Sequence, residues 1–279
     1  MHKHAPALAA DQDNVLPDYQ FDPEAYEREQ AARPDEQFLY GVSAKWARDI
    51  LDASEEKLAI LDLCCGTGLS MRQIFPHANI RRVVGVDNCQ PYLKFAAHRF
   101  ETYRHRPELV EADAVDGPIP EDRWSIIMMI SAYHHIEDER KLRFLARVRE
   151  LIRHGGYAII GENVLPGYVT GNRDSYCSAV RAFYDRVEDE VHCQGKEIDP
   201  QVLLTIERVA KYGFDGEYEY KVKYDIMKNH FEESGLVVVR EQRVWPKKPI
   251  GESGGNYVML VRGATREELQ ERRPGAYSF

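Results

Sequence analysis

The sequence lacks the cysteine spacings and the long apolar runs that mark several large classes of protein. Its five cysteines include an adjacent pair but no CxxC, so neither a zinc site nor a disulfide framework is expected. No apolar run approaches the roughly 20 residues that a membrane-spanning helix needs. The start, MHKHAPALAADQDN, lacks the apolar core of a signal peptide and is expected to be disordered. We therefore expect reduced thiols in a cytoplasmic protein that does not enter a membrane.

The sequence is also poor in positive charge. Lys and Arg total 37 against 46 for Asp and Glu, which gives a net charge of −9 over 279 residues. An acidic chain without a basic run argues against nucleic acid, or an anionic membrane surface, as its partner. Apolar residues make up 43% of the chain, enough for a packed core. These features favour a protein that acts on a small molecule, and they leave its oligomeric state open.

Apolar strands and amphipathic helices alternate along the chain from Leu58 onward. Five strands are predicted at LAILDL, RRVVGVD, ELVEAD, WSIIMMIS and YAIIGEN, with helices between them that include one over Arg140–His154. GLVVVREQRVW and NYVMLVRG are predicted to form a terminal antiparallel pair. Alternation of this kind predicts an α/β fold with a doubly wound, Rossmann-like sheet.

A glycine-rich turn follows the first predicted strand. The segment Asp62–Gly68, DLCCGTG, leaves that strand and opens a helix, where glycines let a ligand approach the backbone. Asp87 ends the next strand about 20 residues later, at the position where an acid accepts hydrogen bonds from ribose hydroxyls. Asp113 follows the third strand and can accept a hydrogen bond from the amine of adenine. The turn lacks a full GxGxxG and a basic neighbour for a pyrophosphate, which argues against a dinucleotide.

These motifs resemble those of the class I S-adenosylmethionine-dependent methyltransferases. DLCCGTG is similar to their first motif, GVDNCQPYL to their ribose-binding strand, EADAVD to their adenine-binding loop and WSIIMMISAYHHI to their fourth strand. The resemblance implies a seven-stranded sheet and S-adenosylmethionine as methyl donor or substrate. Cys64 stands where the family usually has its first glycine. The resemblance implies a cofactor site formed by Asp62, Cys64, Gly66, Gly68, Asp87, Asn88, Asp113, Ala114 and Ser131.

Four segments are expected along the chain. Residues 1–50 form a disordered start and an N-terminal helical cap, and residues 51–165 form the Rossmann-like core that binds S-adenosylmethionine. Residues 166–224 break the alternation with a polar, aromatic and helical pattern, which predicts a lid insertion over the carboxyl ends of the strands. Residues 225–279 supply the final helix and the terminal strand pair.

Ionisable side chains follow the fourth and fifth predicted strands. Tyr133 and His134 follow the fourth strand, and His134 or its neighbour His135 is a candidate general base. Glu162 and Asn163 end the fifth strand at the same edge of the sheet. Glu162 is a further candidate base, and Asn163 could orient an amine or a carboxylate. Metal binding by the two histidines is not expected, because adjacent residues on a strand point to opposite faces.

The lid insertion contributes aromatic side chains. Tyr176 and Phe183 are spaced to share one face of a helix. An aromatic ring attracts a sulfonium by a cation–π contact worth roughly 2 kcal/mol when it is desolvated. We expect Tyr176 to make this contact. The alternative is that the face serves only as the core of the lid.

Two segments, GENVLPGYVTGNRDSYCSAVRAFYDR and SAYHHIEDE, resemble the azetidine-2-carboxylate synthases of bacterial peptide biosynthesis. Those enzymes have a methyltransferase fold and cyclise S-adenosylmethionine to azetidine-2-carboxylate, with release of methylthioadenosine. The resemblance implies the same cyclisation here, with Tyr176, Asn163, Tyr133 and His134 as catalytic residues. Methyl transfer to a small acceptor is the main alternative, and binding of S-adenosylmethionine without turnover is a third.

Overall fold

A mixed sheet of seven strands forms the centre of the computed structural model, which describes residues 22–195 and 198–271. The expectation of a disordered start concerns residues that lie outside these ranges. The strands are β1 (Leu58–Leu63), β2 (Ile80–Asp87), β3 (Glu108–Glu111), β4 (Trp124–Ile130), β5 (Ile152–Val164), β6 (Leu236–Ile250) and β7 (Gly254–Gly263). The helices are α1 (Pro23–Ala32), α2 (Pro34–Asp52), α3 (Leu69–Ile74), α4 (Gln90–Arg99), α5 (Asp138–Leu151), α6 (Arg173–His192), α7 (Pro200–Asp215), α8 (Tyr224–Glu233) and α9 (Arg266–Glu271).

The strand order is β3-β2-β1-β4-β5-β7-β6. The first five strands run parallel, and β7 pairs antiparallel with both β5 and β6. This confirms the predicted Rossmann-like α/β fold and its terminal antiparallel pair. β1 and β4 are buried along their whole length, which explains their unbroken apolar sequences. β2 and β3 lie on one side of β1, and β4 lies on its other side, so the strand order reverses between β1 and β4. Ligands are therefore expected at the carboxyl ends of these two strands.

Helices cover both faces of the sheet. On one face, α2 packs Leu39, Ala44 and Trp46 into a core shared with Ile60 and Met128. On the other face, α5 and α8 pack Phe144, Met227 and Phe231 against the sheet. Helices α6 and α7, in the segment predicted as a lid, form a third apolar cluster. None of the described helices has the length and apolar character to cross a membrane.

One predicted boundary is wrong. The helix expected over Arg140–His154 ends at Leu151, and β5 begins directly at Ile152. Ile152 pairs with Trp124 of β4, so strand pairing with the neighbouring sheet overrides the helical spacing of the sequence. The structure also leaves all five cysteines as free thiols, as expected.

Phe144 and Leu142 give a matched test of this packing, because both lie on α5 and only Phe144 is fully buried. We expect Phe144→Ala to lower the free energy of unfolding by about 3–5 kcal/mol, since it removes buried apolar area and leaves a cavity. Leu142 is 40% exposed, and Leu142→Ala should change the stability by less than about 1 kcal/mol. Urea denaturation followed by circular dichroism measures both. Equal losses in the two variants would contradict the described packing.

Candidate active site

A cleft of about 490 Å³ opens at the carboxyl ends of the central strands. Its floor comes from the turn after β1, the end of β2, the loop after β3 and the ends of β4 and β5. Helices α1 and α2, the segment 218–221 and single residues of other helices, among them Tyr184 of α6 and Val209 of α7, contribute to its walls. Nine of the residues expected at a ligand site line this cleft: Cys64, Gly66, Asp87, Asn88, Asp113, Ala114, Ser131, His134 and Asn163.

The turn after β1 is held by the acid at the end of β2. Asp87 accepts hydrogen bonds from the backbone N–H groups of Gly66 and Cys89, each at 2.8 Å. Gly66 has φ of +53°, and a Cβ added there would meet only the ring of Tyr92, at 3.8 Å. Cys64 has φ of +56°, a backbone conformation that glycine adopts more easily. The backbone at this turn is therefore open to a ligand on the cleft side.

Asp113 shapes the loop after β3. Its Oδ1 atom accepts hydrogen bonds from the backbone N–H groups of Val115 and Asp116 and from the Arg140 guanidinium. Burial acts to raise the pKa of Asp113, but these hydrogen bonds outweigh burial and hold the pKa below its ordinary value. The side chain is thus an ionised turn cap. All three bonds fall on Oδ1, so Oδ2 is the oxygen left for a ligand.

Asp62 and Gly68 do not line the cleft. Asp62 is buried beneath the turn and accepts a hydrogen bond from the hydroxyl of Ser70, which does line the cleft. Burial raises the pKa of Asp62 to about 7. Gly68 has φ of +80°, and a Cβ there would lie 2.8 Å from the ring of Phe100. Both residues shape the turn from behind, and a direct contact of either with a ligand stays a prediction.

Glu36 of α2 reaches the ends of β4 and β5. Its Oε1 atom accepts hydrogen bonds from the Ser131 hydroxyl and the Asn163 side-chain amide, both at 3.1 Å. Glu36 is 1% exposed, and burial is the main cause that raises its pKa to about 8. Ser131 has φ of +54°, a strained conformation of the kind found at functional sites. Sequence reasoning missed Glu36. Its spacing from buried Leu39 and Ser43 is the signal that could have placed it on the inner face of α2.

Arg33 compensates part of the buried negative charge around Glu36. Its guanidinium contacts Asp35 and Glu29 at 2.8 Å and Glu36 at 3.2 Å, and all four side chains are buried. Three carboxyl groups share one guanidinium, so this group of residues, the Arg33 cluster, carries an excess of acidic groups over bases. Removing one partner from such a group is costly, because the remaining charges stay buried.

His134 lies at the other side of the cleft, on a 3-10 turn that spans Tyr133–His135. Its Nδ1 contacts Glu162 Oε1 at 2.5 Å, and its Nε2 lies 3.9 Å from Glu219. Burial, followed by the charge of Lys221, holds the pKa of His134 well below its ordinary value. His134 is therefore neutral near pH 7.

His134 and His135 were expected to point to opposite faces of a strand, but their rings lie side by side. Because Tyr133–His135 is a 3-10 turn and not a strand, the rings of His134 and His135 lie 4.1 Å apart. One potential ligand atom from each, together with one from Glu219, falls within 4.8 Å of the others. The ammonium of Lys221 already pairs with Glu219. Glu219 and Lys221 are further cleft residues that the sequence analysis missed.

Two predicted catalytic residues are not among those that line the cleft. Tyr133 is buried in the core, and its hydroxyl lies 2.5 Å from Nδ1 of His230. Tyr176 packs edge-to-face on Tyr168, with 5.2 Å between the ring centroids, beside the apolar cluster of α6 and α7. Phe183 lies in that core against Trp245. The face shared by Tyr176 and Phe183 thus packs within the segment predicted as a lid. The aromatic residues of that segment that line the cleft are Tyr184, Tyr218 and Tyr220.

Comparison with known proteins agrees with this geometry. Residues 60–156 match the methyltransferase domain family. A demethylmenaquinone methyltransferase from Thermus thermophilus is 27% identical over 125 residues, which are 44% of this chain and 56% of that protein. An S-adenosylmethionine-dependent methyltransferase structure from Clostridium acetobutylicum superposes with a TM-score of 0.58 at 14% identity, covering 88% of this chain and 99% of that one. A Pyrococcus horikoshii protein gives a TM-score of 0.54 at 12% identity, covering 89% and 96%.

Residues 60–156 are therefore similar to a methyltransferase domain, and the fold is the one that these methyltransferase structures share. The chain spans about half the length of the Thermus protein, so the match concerns this domain and not a whole enzyme. The domain implies S-adenosylmethionine as its cofactor. The cleft fits this ligand. Its volume of about 490 Å³ lies within the usual range for small-molecule sites, and the backbone at Gly66 is open to it.

Asp87 gives the most direct test of that assignment. We expect Asp87→Asn to weaken binding of S-adenosylhomocysteine by roughly 10- to 100-fold, because the amide keeps one acceptor oxygen and replaces the other by an NH2 donor. Isothermal titration calorimetry measures the affinity.

Asp122 supplies the control. It pairs with Arg81 just before β4, at the opposite end of the sheet. Asp122→Asn makes the same change of side chain there and should leave the affinity unchanged. Equal affinities for Asp87→Asn and wild type would show that Asp87 does not hold the ligand.

Proposed function

We propose that this protein transfers the methyl group of S-adenosylmethionine to a small-molecule acceptor, with Glu36 as the general base. The observation that carries the proposal is the Glu36 carboxylate at the ends of β4 and β5, bonded to Ser131 and Asn163. In doubly wound folds the reacting atoms of a ligand lie at these strand ends. The family match supports the transferred group, and the acidic, enclosed cleft supports a small acceptor.

In this proposal, the cofactor occupies the half of the cleft next to β1 and β2. Asp87 accepts hydrogen bonds from the ribose hydroxyls, and Asp113 accepts from the adenine amine through Oδ2. Ala114 packs beside the adenine ring, and the backbone at Gly66 approaches the methionine arm. Bound S-adenosylmethionine supplies an electrophilic methyl group on its sulfonium. These roles follow from residues that the structure brings to one cleft.

Glu36 takes the proton that the acceptor loses as it is methylated. A base works best when its pKa lies near the working pH, and burial brings that of Glu36 to about 8. Ser131 and Asn163 hold the carboxylate by two hydrogen bonds to Oε1, which leaves Oε2 for the acceptor proton. Helices α1 and α2 cover this part of the cleft and limit access of water. His134, neutral and bonded to Glu162, is a second candidate base in the same cleft.

Cyclisation of S-adenosylmethionine to azetidine-2-carboxylate is the second candidate function. It needs no second substrate, and the cleft of about 490 Å³ lies toward the lower end of the usual range for small-molecule sites. Glu36 and Asn163 would then face the amine of the methionine arm. Tyr176 packs on Tyr168 and is not among the residues that line the cleft, so the cyclisation proposal gives the sulfonium contact to Tyr184, which does line it.

The products separate the two reactions. Purified protein is incubated with S-adenosylmethionine, alone and with a mixture of small amines and alcohols, and analysed by mass spectrometry. Methyl transfer gives S-adenosylhomocysteine only when an acceptor is present. Methylthioadenosine and azetidine-2-carboxylate in equal amounts, without any acceptor, would replace methyl transfer by cyclisation. Binding without either product would leave both proposals without support.

Glu36→Gln tests the proposed base. Below pH 8 the folded protein holds Glu36 protonated, so we expect the rate to fall about tenfold per pH unit below that value and to level off above it. The variant should lose roughly 10²- to 10⁴-fold in kcat and should lose this pH dependence. Single-turnover rates between pH 6 and 9.5 measure both. The same pH profile in the variant would assign the proton transfer to another group.

A further inference from the structure

Three buried side chains that line the cleft carry an oxygen without a hydrogen-bond donor in the described part of the chain. These atoms are Gln30 Oε1, Glu36 Oε2 and Asn163 Oδ1. The residues are 4%, 1% and 2% exposed, so water has little access to them. A buried acceptor without a donor costs about 1–3 kcal/mol, which makes three of them in one cleft a strong indication of a missing partner.

The donor groups on these side chains are already used within the protein. The Gln30 amide donates to Glu29 at 3.1 Å. The Asn163 amide donates to Glu36 at 3.1 Å and to Ser131 at 3.2 Å, which fixes the orientation of the amide. When Glu36 is ionised, the atoms that remain for a ligand are therefore acceptors. Among residues that line the cleft, the described structure leaves no buried side-chain donor unpartnered.

The charge around these acceptors has the same sign. Glu29, Asp35 and Glu36 share the single guanidinium of Arg33, so negative charges outnumber positive ones here by two once Glu36 is ionised, above about pH 8. Lys221 does not correct this excess, because its ammonium pairs with Glu219. A ligand group that carries both N–H donors and positive charge complements this part of the cleft, whereas an anionic or purely acceptor group does not.

We infer that the part of the cleft lined by Gln30, Glu36 and Asn163 binds a primary or secondary amine in its protonated form. The inference rests on the proposed small-molecule reaction and names the chemical class at its centre. The amine has two possible sources: a second substrate, or the α-amino group of S-adenosylmethionine itself. In either case, Glu36 both binds the ammonium and accepts its proton, which leaves the neutral amine as the nucleophile.

Binding measurements with Glu36→Gln at about pH 9, where Glu36 is ionised in the wild type, test the inference without using activity. The substitution keeps the shape of the side chain but offers an N–H where the amine needs an acceptor. The probes are S-adenosylhomocysteine and methylthioadenosine, which lacks the amino-acid arm. Ethanolamine and its uncharged counterpart ethylene glycol are then titrated into protein loaded with S-adenosylhomocysteine. Glu241→Gln, on the surface beside Lys228, makes the same charge change away from the cleft and serves as the control.

Two outcomes support the inference and identify the source. If the amine belongs to the cofactor, Glu36→Gln weakens S-adenosylhomocysteine by about tenfold or more and leaves methylthioadenosine unchanged. If it belongs to a second substrate, both affinities are unchanged. The loaded wild-type protein then binds ethanolamine at least about tenfold more tightly than ethylene glycol, and the variant loses that preference. Glu241→Gln should behave as wild type throughout.

One outcome overturns the inference: Glu36→Gln leaves both nucleoside affinities unchanged and the loaded wild-type protein shows no preference for ethanolamine. Asn163→Ala, measured in the same way, should weaken binding of the same ligand as Glu36→Gln does. Agreement between the two variants excludes a structural defect of one of them as the cause. Thermal melts of each variant verify folding. If the wild-type protein binds the amine but forms no product, the proposed function is overturned and the inferred amine site is not.

Discussion

A single buried carboxylate joins the helical cap to the strand ends of the core. Glu36 comes from α2, yet its partners Ser131 and Asn163 follow β4 and end β5. Burying a carboxylate is costly, and the cost is offset here by the Arg33 guanidinium and by these two hydrogen bonds. Because Glu36 joins the cap to the sheet edge, the same contact holds one wall of the cleft in place and, in the proposed reaction, supplies the base.

The two sides of the cleft differ in how their buried charges are balanced. On the cap side, the Arg33 cluster has more carboxyl groups than bases, and burial raises the pKa of Glu36. On the opposite side, Lys221 pairs with Glu219; burial acts to raise the pKa of Glu219, but the ammonium outweighs burial and brings it to about 2. One side is thus able to exchange a proton near neutral pH, and the other is a fixed ion pair. This contrast is why the proposed chemistry is assigned to the cap side.

The half of the cleft that we propose for the nucleotide was largely predictable because its determinants are local. Gly66 and Asp87 belong to one β-turn-α unit and the strand that follows it, so their spacing along the chain nearly sets their distance in space. Even there, local reasoning reached its limit at Asp62 and Gly68. Both belong to the motif. Only the fold shows that the Asp62 side chain is buried behind the turn and that a side chain at position 68 would meet Phe100.

The sequence by itself determined the sheet and the cofactor turn, since apolar runs and glycine positions report directly on burial and backbone freedom. Only the tertiary structure decided which side chains complete the reactive half of the cleft. Glu36 and Asn163 are separated by more than a hundred residues and meet because α2 packs across the sheet. Tyr176 has a suitable ring and a plausible spacing, but in the fold it packs on Tyr168 and is not among the residues that line the cleft. Helix packing of this kind depends on the whole core, so no local pattern encodes it.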